Sequence, residues 1–449
     1  MMTKKIIAAI AAFTTAAAPL SAISFPASPL PETLCSEASY SAASCPTPGP
    51  KDLFRQSGTS GQNEAVLRPF AVGPGLVNLS PGDSYATYQW GLKNDGEFQM
   101  IELIDQFKYA TELYRAVTGD SSISIPNPVG PDAVEMRKTK AIAGIDINIR
   151  PAWDLYEKAQ TKRDVIVAVI DTGIDTGHPD LQSSMWVNQA EIPGDGIDND
   201  GNGYVDDING WNFYSNNSVL YNGKEDTHGT HAAGTIAAAR NNGGIVGIAD
   251  NSHVKIMSLK ALGGNDGSGN PASVIEAIHY AEANGASICN LSFGSSKYNE
   301  ELAQVIQNSP MLFIVAAGNG DAMGVGYDID HHPVYPASFP SDNIIAVGNL
   351  LFDGSLDTSS NYGPASVDIA APGTYIVSTT PEGKYEFMSG TSMAAPMVTG
   401  AAAMLYSYRT DLSLADVKNI LLASSRKSEP LAGKIGCGGF LDVYSAFVY

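Results

Sequence analysis

The chain has 449 residues, of which 44% are hydrophobic and 16% charged, so it has ample apolar material for a large core and is not intrinsically disordered over most of its length. The 47 acidic residues outnumber the 26 basic ones and give a net charge of −21, which excludes a general nucleic-acid binder, because phosphate binding needs a basic face. Four cysteines are too few for a disulfide-dense scaffold.

Residues 1–22 have the pattern of a secretory signal peptide. Two lysines are followed by an apolar, Ala-rich run and then by small residues that allow cleavage near Ala22. The apolar run is short for a membrane helix, which needs roughly 18 residues, so we favour a signal peptide over an N-terminal membrane anchor. We therefore expect a secreted or periplasmic protein that is free of the membrane after signal cleavage. Cys35 and Cys45 are candidates to pair there.

Two segments separate the signal peptide from the main domain. Residues 23–84 are rich in Pro, Ser, Gly and Ala and show little apolar periodicity, which favours an irregular N-terminal extension or a short propeptide. We interpret residues 85–140 as the start of the mature region with a helical insertion. Apolar residues recur at helical spacing over 97–118, whereas 119–134 has the composition of a loop.

From residue 141 onward, short apolar runs alternate with helical stretches. The runs are too apolar for a half-exposed sheet and indicate buried parallel strands with helices on both faces. They lie at 165–170, 254–259, 287–293, 312–318 and 344–348. The pattern predicts an open α/β domain over 141–449, whose functional site is expected at the carboxyl ends of the strands.

Three motifs follow in this domain in the order Asp, His, Ser. Asp171 opens the run DTGID after an apolar strand, where a carboxylate can orient a histidine; a solvated loop carboxylate is the alternative. His228 opens HGTHAAGT, and His231 follows three residues later. Two histidines without further ligands do not make a zinc site, so we interpret His231 as structural. Ser392, in SGTSMAAP, stands at the mouth of an Ala-rich helix, where a nucleophile or a helix N-cap is expected.

Together the three motifs resemble those of the subtilisin-like serine peptidases, the subtilase family, in which Asp, His and Ser follow in this order. The resemblance extends over residues 141–445. It implies a three-layer α/β fold with a mainly parallel twisted sheet covered by helices on both faces. It also implies that Asp171, His228 and Ser392 are a catalytic triad that hydrolyses polypeptides through an acyl-enzyme.

The same resemblance assigns residues around the triad. Asn319, in the run VAAGN, matches the amide that donates to the oxyanion, with the main-chain N–H of Ser392 as the second donor. A turn residue is the alternative for Asn319, which stands beside a glycine. Ser292, Phe293 and Gly294 match the strand that pairs with the substrate backbone and forms one wall of the pocket for the residue before the cleaved bond.

An acidic run at 195–207, DGIDNDGNGYVDD, predicts a calcium site. Its spacing from Asp198 onward, with Gly203 in sixth place, matches the first nine positions of an EF-hand loop, although Asn209 replaces the glutamate expected at the twelfth. Clustered carboxylates repel one another unless a cation lies among them, and some subtilases carry a similar insertion that is associated with calcium. A solvated acidic turn is the alternative. The candidate ligands are Asp195, Asp198, Asp200, Asn202 and Asp206.

A second calcium site rests on the resemblance alone. Asp180 and Asn241 match a common subtilase calcium site. Gly243 and Gly244 depart from the apolar residue that is usual in the family.

The sequence thus predicts a secreted, calcium-stabilised endopeptidase that acts on polypeptide substrates. Two other classes stay open: a subtilase fold that joins peptides or makes dedicated processing cleavages, and a catalytically silent calcium-dependent binding protein. Intact Asp171, His228, Ser392 and Asn319 argue against the silent protein.

Overall fold

The computed structural model describes residues 82–97, 99–104, 135–264, 267–321 and 324–449. The predicted signal peptide, Cys35, Cys45 and the loop at 119–134 lie outside these ranges, as does nearly all of the extension at 23–84. The described residues all fall in the second of the two units into which the chain divides, and only that unit is described.

Seven α-helices and fifteen strands lie within the described residues. The helices are α1 (Ile149–Lys158), α2 (Thr227–Ala237), α3 (Pro271–Ala283), α4 (Glu300–Asn308), α5 (Thr391–Tyr408), α6 (Leu414–Ala423) and α7 (Val443–Phe447). The strands are β1 (Gln99–Ile104), β2 (Glu135–Lys140), β3 (Val165–Asp171), β4 (Gly210–Asn212), β5 (Val254–Lys260), β6 (Leu262–Gly263), β7 (Ser268–Gly269), β8 (Ile288–Leu291), β9 (Leu312–Ala316), β10 (Ile344–Leu350), β11 (Ile369–Pro372), β12 (Ile376–Thr380), β13 (Lys384–Met388), β14 (Arg426–Lys427) and β15 (Gly439–Phe440).

Nine strands form one central sheet in the order β14-β15-β11-β10-β9-β8-β3-β5-β4. Its neighbouring strands are parallel except for β14 and β15, which are antiparallel. β3 lies between β8 and β5, with Ile170 opposite Leu291 and Asp171 opposite Lys260. Three antiparallel pairs, β1–β2, β6–β7 and β12–β13, lie outside this sheet. The predicted mainly parallel sheet is confirmed.

Alternate residues of β3 face opposite sides of the sheet. Val167 and Val169 belong to a core that includes residues of α1, α2, α5, α6 and α7, whereas Ala168 and Ile170 belong to a core that includes residues of α3 and α4. All four are at most 1% exposed. Since burial of a Val or Ile side chain stabilises a fold by about 1.5–3 kcal/mol, a strand this apolar is stable only when both faces are covered. The predicted three-layer fold is therefore confirmed.

The carboxyl ends of β3, β8 and β9 open onto one edge of the sheet, because these neighbouring strands are parallel. Thr172, just after β3, accepts a hydrogen bond at its hydroxyl from the main-chain N–H of Gly229 in the first turn of α2 (3.2 Å). Asn319, just after β9, accepts one from the main-chain N–H of Thr391, the first residue of α5 (2.7 Å). Two helix N-termini therefore meet the strand ends at this edge.

The helix predicted over 97–118 is wrong where the structure describes it. Residues Gln99–Ile104 form β1, which pairs with Glu135–Lys140, and 105–118 lie outside the described residues. The apolar spacing in this segment suits a helix, but a short run containing Ile101 and Ile104 also suits a strand, and pairing with a distant segment decides between them. Among the described helices, none has the length and apolar character needed to cross a membrane.

Candidate active site

Asp171 is the last residue of β3 and is fully buried. Its Oδ1 atom accepts a hydrogen bond from the main-chain N–H of Thr172 (2.7 Å). The main-chain oxygen of Asp171 accepts another from Ala261, which follows the neighbouring strand β5 (3.0 Å). Because the strand and the loop after it are both held in this way, the carboxylate has a fixed direction at the edge of the sheet.

His228 lies in the first turn of α2 and contacts that carboxylate. Its Nδ1 atom is 2.8 Å from Oδ1 and 3.0 Å from Oδ2 of Asp171. The helix can come this close because the next residue is a glycine: a Cβ atom on Gly229 would lie 2.2 Å from the main-chain oxygen of Gly173. The small residue in the run HGT is thus required by the approach of α2 to β3.

The charge of Asp171 sets the protonation of His228. Burial lowers the pKa of His228, but the negative charge and hydrogen bond of Asp171 act in the other direction and leave the pKa above its ordinary value. The side chain keeps 27% of its surface exposed, so the ring is accessible to a reacting group. The pair can accept a proton on Nε2 and stabilise the resulting imidazolium.

His231 is fully buried one helical turn further along α2, and its Nε2 lies 2.9 Å from the main-chain oxygen of Ile376. Burial lowers its pKa to about 4, so the ring is neutral near pH 7. This supports the structural role predicted for His231.

Ser392 is the second residue of α5. Its hydroxyl donates to the main-chain oxygen of Ser292 (2.9 Å), and the Ser292 hydroxyl donates back to the main-chain oxygen of Ser392 (3.1 Å). Ser392 makes no hydrogen bond to His228 in this structure. The register of β3 and β8 ends with Ile170 opposite Leu291, so Asp171 and Ser292, the next residues of the two segments, lie at the same edge of the sheet. Rotation about one bond of Ser392 redirects its hydroxyl.

Two N–H donors lie at the start of α5: the side-chain amide of Asn319 and the main-chain N–H of Ser392. The Oδ1 atom of Asn319 accepts from the main-chain N–H (2.7 Å) and the hydroxyl (2.9 Å) of Thr391, which fixes the amide and leaves its Nδ2 for another acceptor. Asn319 is exposed. The main-chain N–H of Ser392 has no acceptor among the described residues, as is expected in the first turn of a helix. Both donors suit an oxyanion at the positive end of α5.

The predicted substrate strand, Ser292, Phe293 and Gly294, follows β8. Neither Phe293 nor Gly294 makes a main-chain hydrogen bond to another described residue, whereas Ser295 pairs with Tyr335 in both directions at 2.8 Å. Gly294 is exposed. This short unpaired edge is therefore able to accept an added strand.

The acidic run folds into a loop in which three carboxylates converge. Oxygen atoms of Glu191, Asp198 and Asp200 lie within 4.8 Å of one another. Glu191 was not among the predicted ligands; it stands shortly before the acidic run, and its nearness in sequence to the other two was the only signal. Main-chain N–H groups, that of Gly203 first, donate to Asp198 and hold the pKa of its carboxyl below its usual range.

The other predicted ligands of this loop make hydrogen bonds that hold its shape. Asp206 accepts from the main-chain N–H groups of Gly194 and Gly196, and Asp195 accepts from that of Ile197 (2.8 Å). Asn202 accepts from Tyr204 (2.8 Å) and donates to Asp200. The main-chain N–H of Asn202 also donates to Asp198 (3.1 Å), and that of Asp206 donates to Glu191 (3.0 Å), so hydrogen bonds connect both residues to the three carboxylates.

The predicted pair Asp180 and Asn241 lies where the loop 241–246 packs on the domain. The Oδ2 atom of buried Asp180 accepts from the main-chain N–H of Ile245 (3.0 Å), and burial raises the pKa of its carboxyl. The main-chain N–H of Asn241 donates to Asp83 (2.7 Å), a carboxylate that the sequence did not single out.

The chain is similar to a known protein family and to several of its members. The model of the subtilase family, Peptidase_S8, matches residues 162–438. The chain is 35% identical over 297 residues to "Subtilisin-like protease 1" of Plasmodium berghei (strain Anka), covering 62% of this chain and 49% of that protein. It is 37% identical over 268 residues to the "Major intracellular serine protease" of Bacillus subtilis (strain 168), covering 59% and 75% respectively. Against "Thermitase" of Thermoactinomyces vulgaris it is 33% identical over 304 residues, covering 66% and 92%.

The chain belongs to the subtilase family, since the family model matches more than half of it. It spans about half the length of the Plasmodium relatives that it matches.

Proposed function

We propose that this protein is a secreted serine endopeptidase in which Ser392 is the nucleophile, His228 the general base and Asp171 the residue that orients the histidine. The observation that carries the proposal is the 2.8 Å contact between His228 and Asp171, placed at the strand edge where Ser292 contacts Ser392. Names of relatives such as "Thermitase" and "Major intracellular serine protease" support the same activity.

The reaction begins when the Ser392 hydroxyl turns from the Ser292 carbonyl toward Nε2 of His228. His228 takes the hydroxyl proton as the serine oxygen bonds to the peptide carbonyl carbon, and Asp171 stabilises the imidazolium. Negative charge then develops on the carbonyl oxygen, where Nδ2 of Asn319 and the N–H of Ser392 donate to it. His228 returns the proton to the leaving amine, and water, activated in the same way, releases the acyl group.

The proposed substrates are polypeptides that bind in an extended conformation. The unpaired main chain at Phe293 and Gly294 supports this, because an added strand gains main-chain hydrogen bonds that do not depend on substrate sequence. Export rests on the signal-peptide pattern of residues 1–22.

We also propose that the acidic loop binds structural calcium. The donor set of Glu191, Asp198 and Asp200 fits Ca²⁺, which prefers several oxygen ligands, and three carboxylates within 4.8 Å repel one another without a cation. Residues Asp195, Asn202 and Asp206 hold the loop in shape through their hydrogen bonds. The site at Asp180 and Asn241 is proposed on family resemblance alone.

Hydrolysis of an unstructured protein such as casein tests the function. New α-amino ends are expected in proportion to enzyme, and Ser392→Ala is expected to lower turnover by about a millionfold, the magnitude found for the same change in a subtilisin. Ser389→Ala is the matched control, because Ser389 is an exposed serine three residues away whose hydroxyl accepts from the N–H of Tyr375. A Ser392→Ala variant that keeps more than a few per cent of activity contradicts the proposal, and joined peptides in place of new ends indicate a peptide ligase.

A further inference from the structure

A lysine is buried beside the Asp171–His228 pair. Lys260 is the last residue of β5 and is 1% exposed. Its Nζ atom donates to the main-chain oxygen of Thr172, to Oδ1 of Asp226 and to Oε1 of Glu225, the last at 2.9 Å. All three protons of the ammonium are therefore used by groups of the fold.

The three acceptors lie on the two segments that carry the proposed catalytic pair. Thr172 directly follows Asp171, and Asp226 stands two residues before His228. Lys260 itself is opposite Asp171 in the register of β3 and β5. The ammonium thus connects the end of β3 to the start of α2, next to the contact between the carboxylate and the imidazole.

Asp226 carries this connection into the helix. It is fully buried, its Oδ2 accepts from the main-chain N–H of Asn222, and its main-chain oxygen accepts from the hydroxyl of Thr230 (2.7 Å). The Thr230 hydroxyl in turn accepts from the N–H of Asp175 in the loop after β3 (3.0 Å). A shift of Asp226 therefore moves the first turn of α2, where His228 lies.

A buried ammonium is costly to desolvate, and an apolar side chain of similar size often stabilises a core equally well. The charge at this position therefore calls for a role beyond stability. We propose that Lys260 is a positioning residue that sets the alignment of His228 with Asp171 by holding Thr172 and Asp226 together. The inference rests on the proposed function, in which that alignment is used for proton transfer.

Lys260→Met keeps most of the side-chain volume and removes the three hydrogen bonds. We expect kcat to fall about 10- to 100-fold, because small misplacements of a catalytic base are this costly, and KM to stay within about twofold, because Lys260 does not contact the proposed substrate strand. The double variant Lys260→Met/Asp226→Asn leaves no unpaired buried charge and serves if the single variant does not fold. Lys418→Met is the matched control, since Lys418 also donates to two main-chain carbonyls, at 3.0 and 2.6 Å, but outside the site.

The direct readout is the low-field proton resonance of the His228 Nδ1–H, which reports its hydrogen bond to Asp171. We expect this resonance to shift or broaden in the Lys260 variants and to be unchanged in Lys418→Met. An unchanged resonance together with an unchanged kcat in a folded Lys260 variant overturns the inference. If the wild-type protein proves inactive, the proposed function fails, but the resonance still decides whether Lys260 sets the alignment.

Discussion

The protonation of the His228 ring offers a test of the proposed chemistry at a single residue. Two effects oppose each other there: burial favours the neutral ring, and the carboxylate of Asp171 favours the charged one. The charge and the hydrogen bond of Asp171 together outweigh burial, so the pKa of His228 is raised, and the histidine acts as a base only when the pH exceeds that raised value. Activity is therefore expected to fall as the pH drops through the pKa of His228.

Asp171→Asn removes the charge that raises this pKa and leaves the burial that lowers it. We expect the acid limb of the profile of kcat/KM against pH to move to lower pH. We also expect kcat on the plateau to fall by about 10⁴, a magnitude taken from another serine peptidase. Asp164→Asn is the control, because Asp164 makes the same 2.8 Å contact with His253 on the surface. An acid limb that stays in place or moves to higher pH contradicts the assignment.

Asn319→Asp tests the oxyanion donor. The substituted side chain keeps an acceptor for Thr391 but loses the N–H that faces the site, so binding is expected to persist while kcat falls by about 10²–10³, a value taken from a subtilisin. The same change at partly exposed Asn251, which donates to Ser183, is expected to leave kcat unchanged. A rise in KM with no loss in kcat is the contrary result.

The residues of the site could be predicted from the sequence to the extent that they stand in runs with fixed spacing. Asp171 and His228 are 57 positions apart, so their spacing alone does not predict a contact between them. The resemblance to the subtilases implied that contact. The direction of the Ser392 hydroxyl could not be predicted, because it depends on a carbonyl oxygen of Ser292, 100 positions away. Glu191 was missed for a similar reason: its proximity to Asp198 is produced by the fold of the loop.

Among the elements, continuous apolar runs predicted their strands well. The run at 165–170 corresponds to Val165–Asp171, and that at 254–259 to Val254–Lys260. A continuous apolar run is stable mainly as a strand that is covered on both faces, so the local pattern is enough to predict such a strand. The segment at 97–118 has a weaker pattern, and at Gln99–Ile104 strand pairing decided the outcome.

The acidic loop is the element whose stability we expect to depend on a ligand. Chelation of calcium is expected to lower the unfolding free energy of the wild-type protein by about 3 kcal/mol if free Ca²⁺ was a hundred times its Kd. Asp198→Asn/Asp200→Asn is expected to be less stable in calcium and insensitive to EDTA. The control Asp154→Asn changes an exposed carboxylate on α1. Thermal unfolding with and without EDTA measures this, and an equal response of wild type and double variant assigns the calcium effect to another site.

The segment 82–96 is an integral part of the domain. Buried Asp83 accepts three main-chain N–H groups from the loop 241–243 at 2.7 to 3.1 Å. Gln89 exchanges two 2.8 Å hydrogen bonds with the main chain of Val246, and the indole N–H of Trp90 donates to a carbonyl oxygen just after β11 (2.8 Å). Loss of a buried Trp side chain alone costs about 3–5 kcal/mol.

The mature protein is therefore expected to begin at or before Gly82. N-terminal sequencing of active, exported protein measures the start directly. A version truncated to begin at residue 98 serves as the comparison and is expected to unfold at lower temperature. Active protein that begins after Leu92 contradicts this expectation.

The assignment of Ser392 as the nucleophile is tested most directly by covalent labelling of the full protein with a fluorophosphonate probe, followed by identification of the labelled peptide. Such a probe reacts only with a serine that is activated by a neighbouring base. We predict a single modification on Ser392, its loss in Ser392→Ala and full retention in Ser389→Ala. Absence of labelling in folded, processed protein, or labelling that persists in Ser392→Ala, would contradict the assignment of Ser392 as the nucleophile.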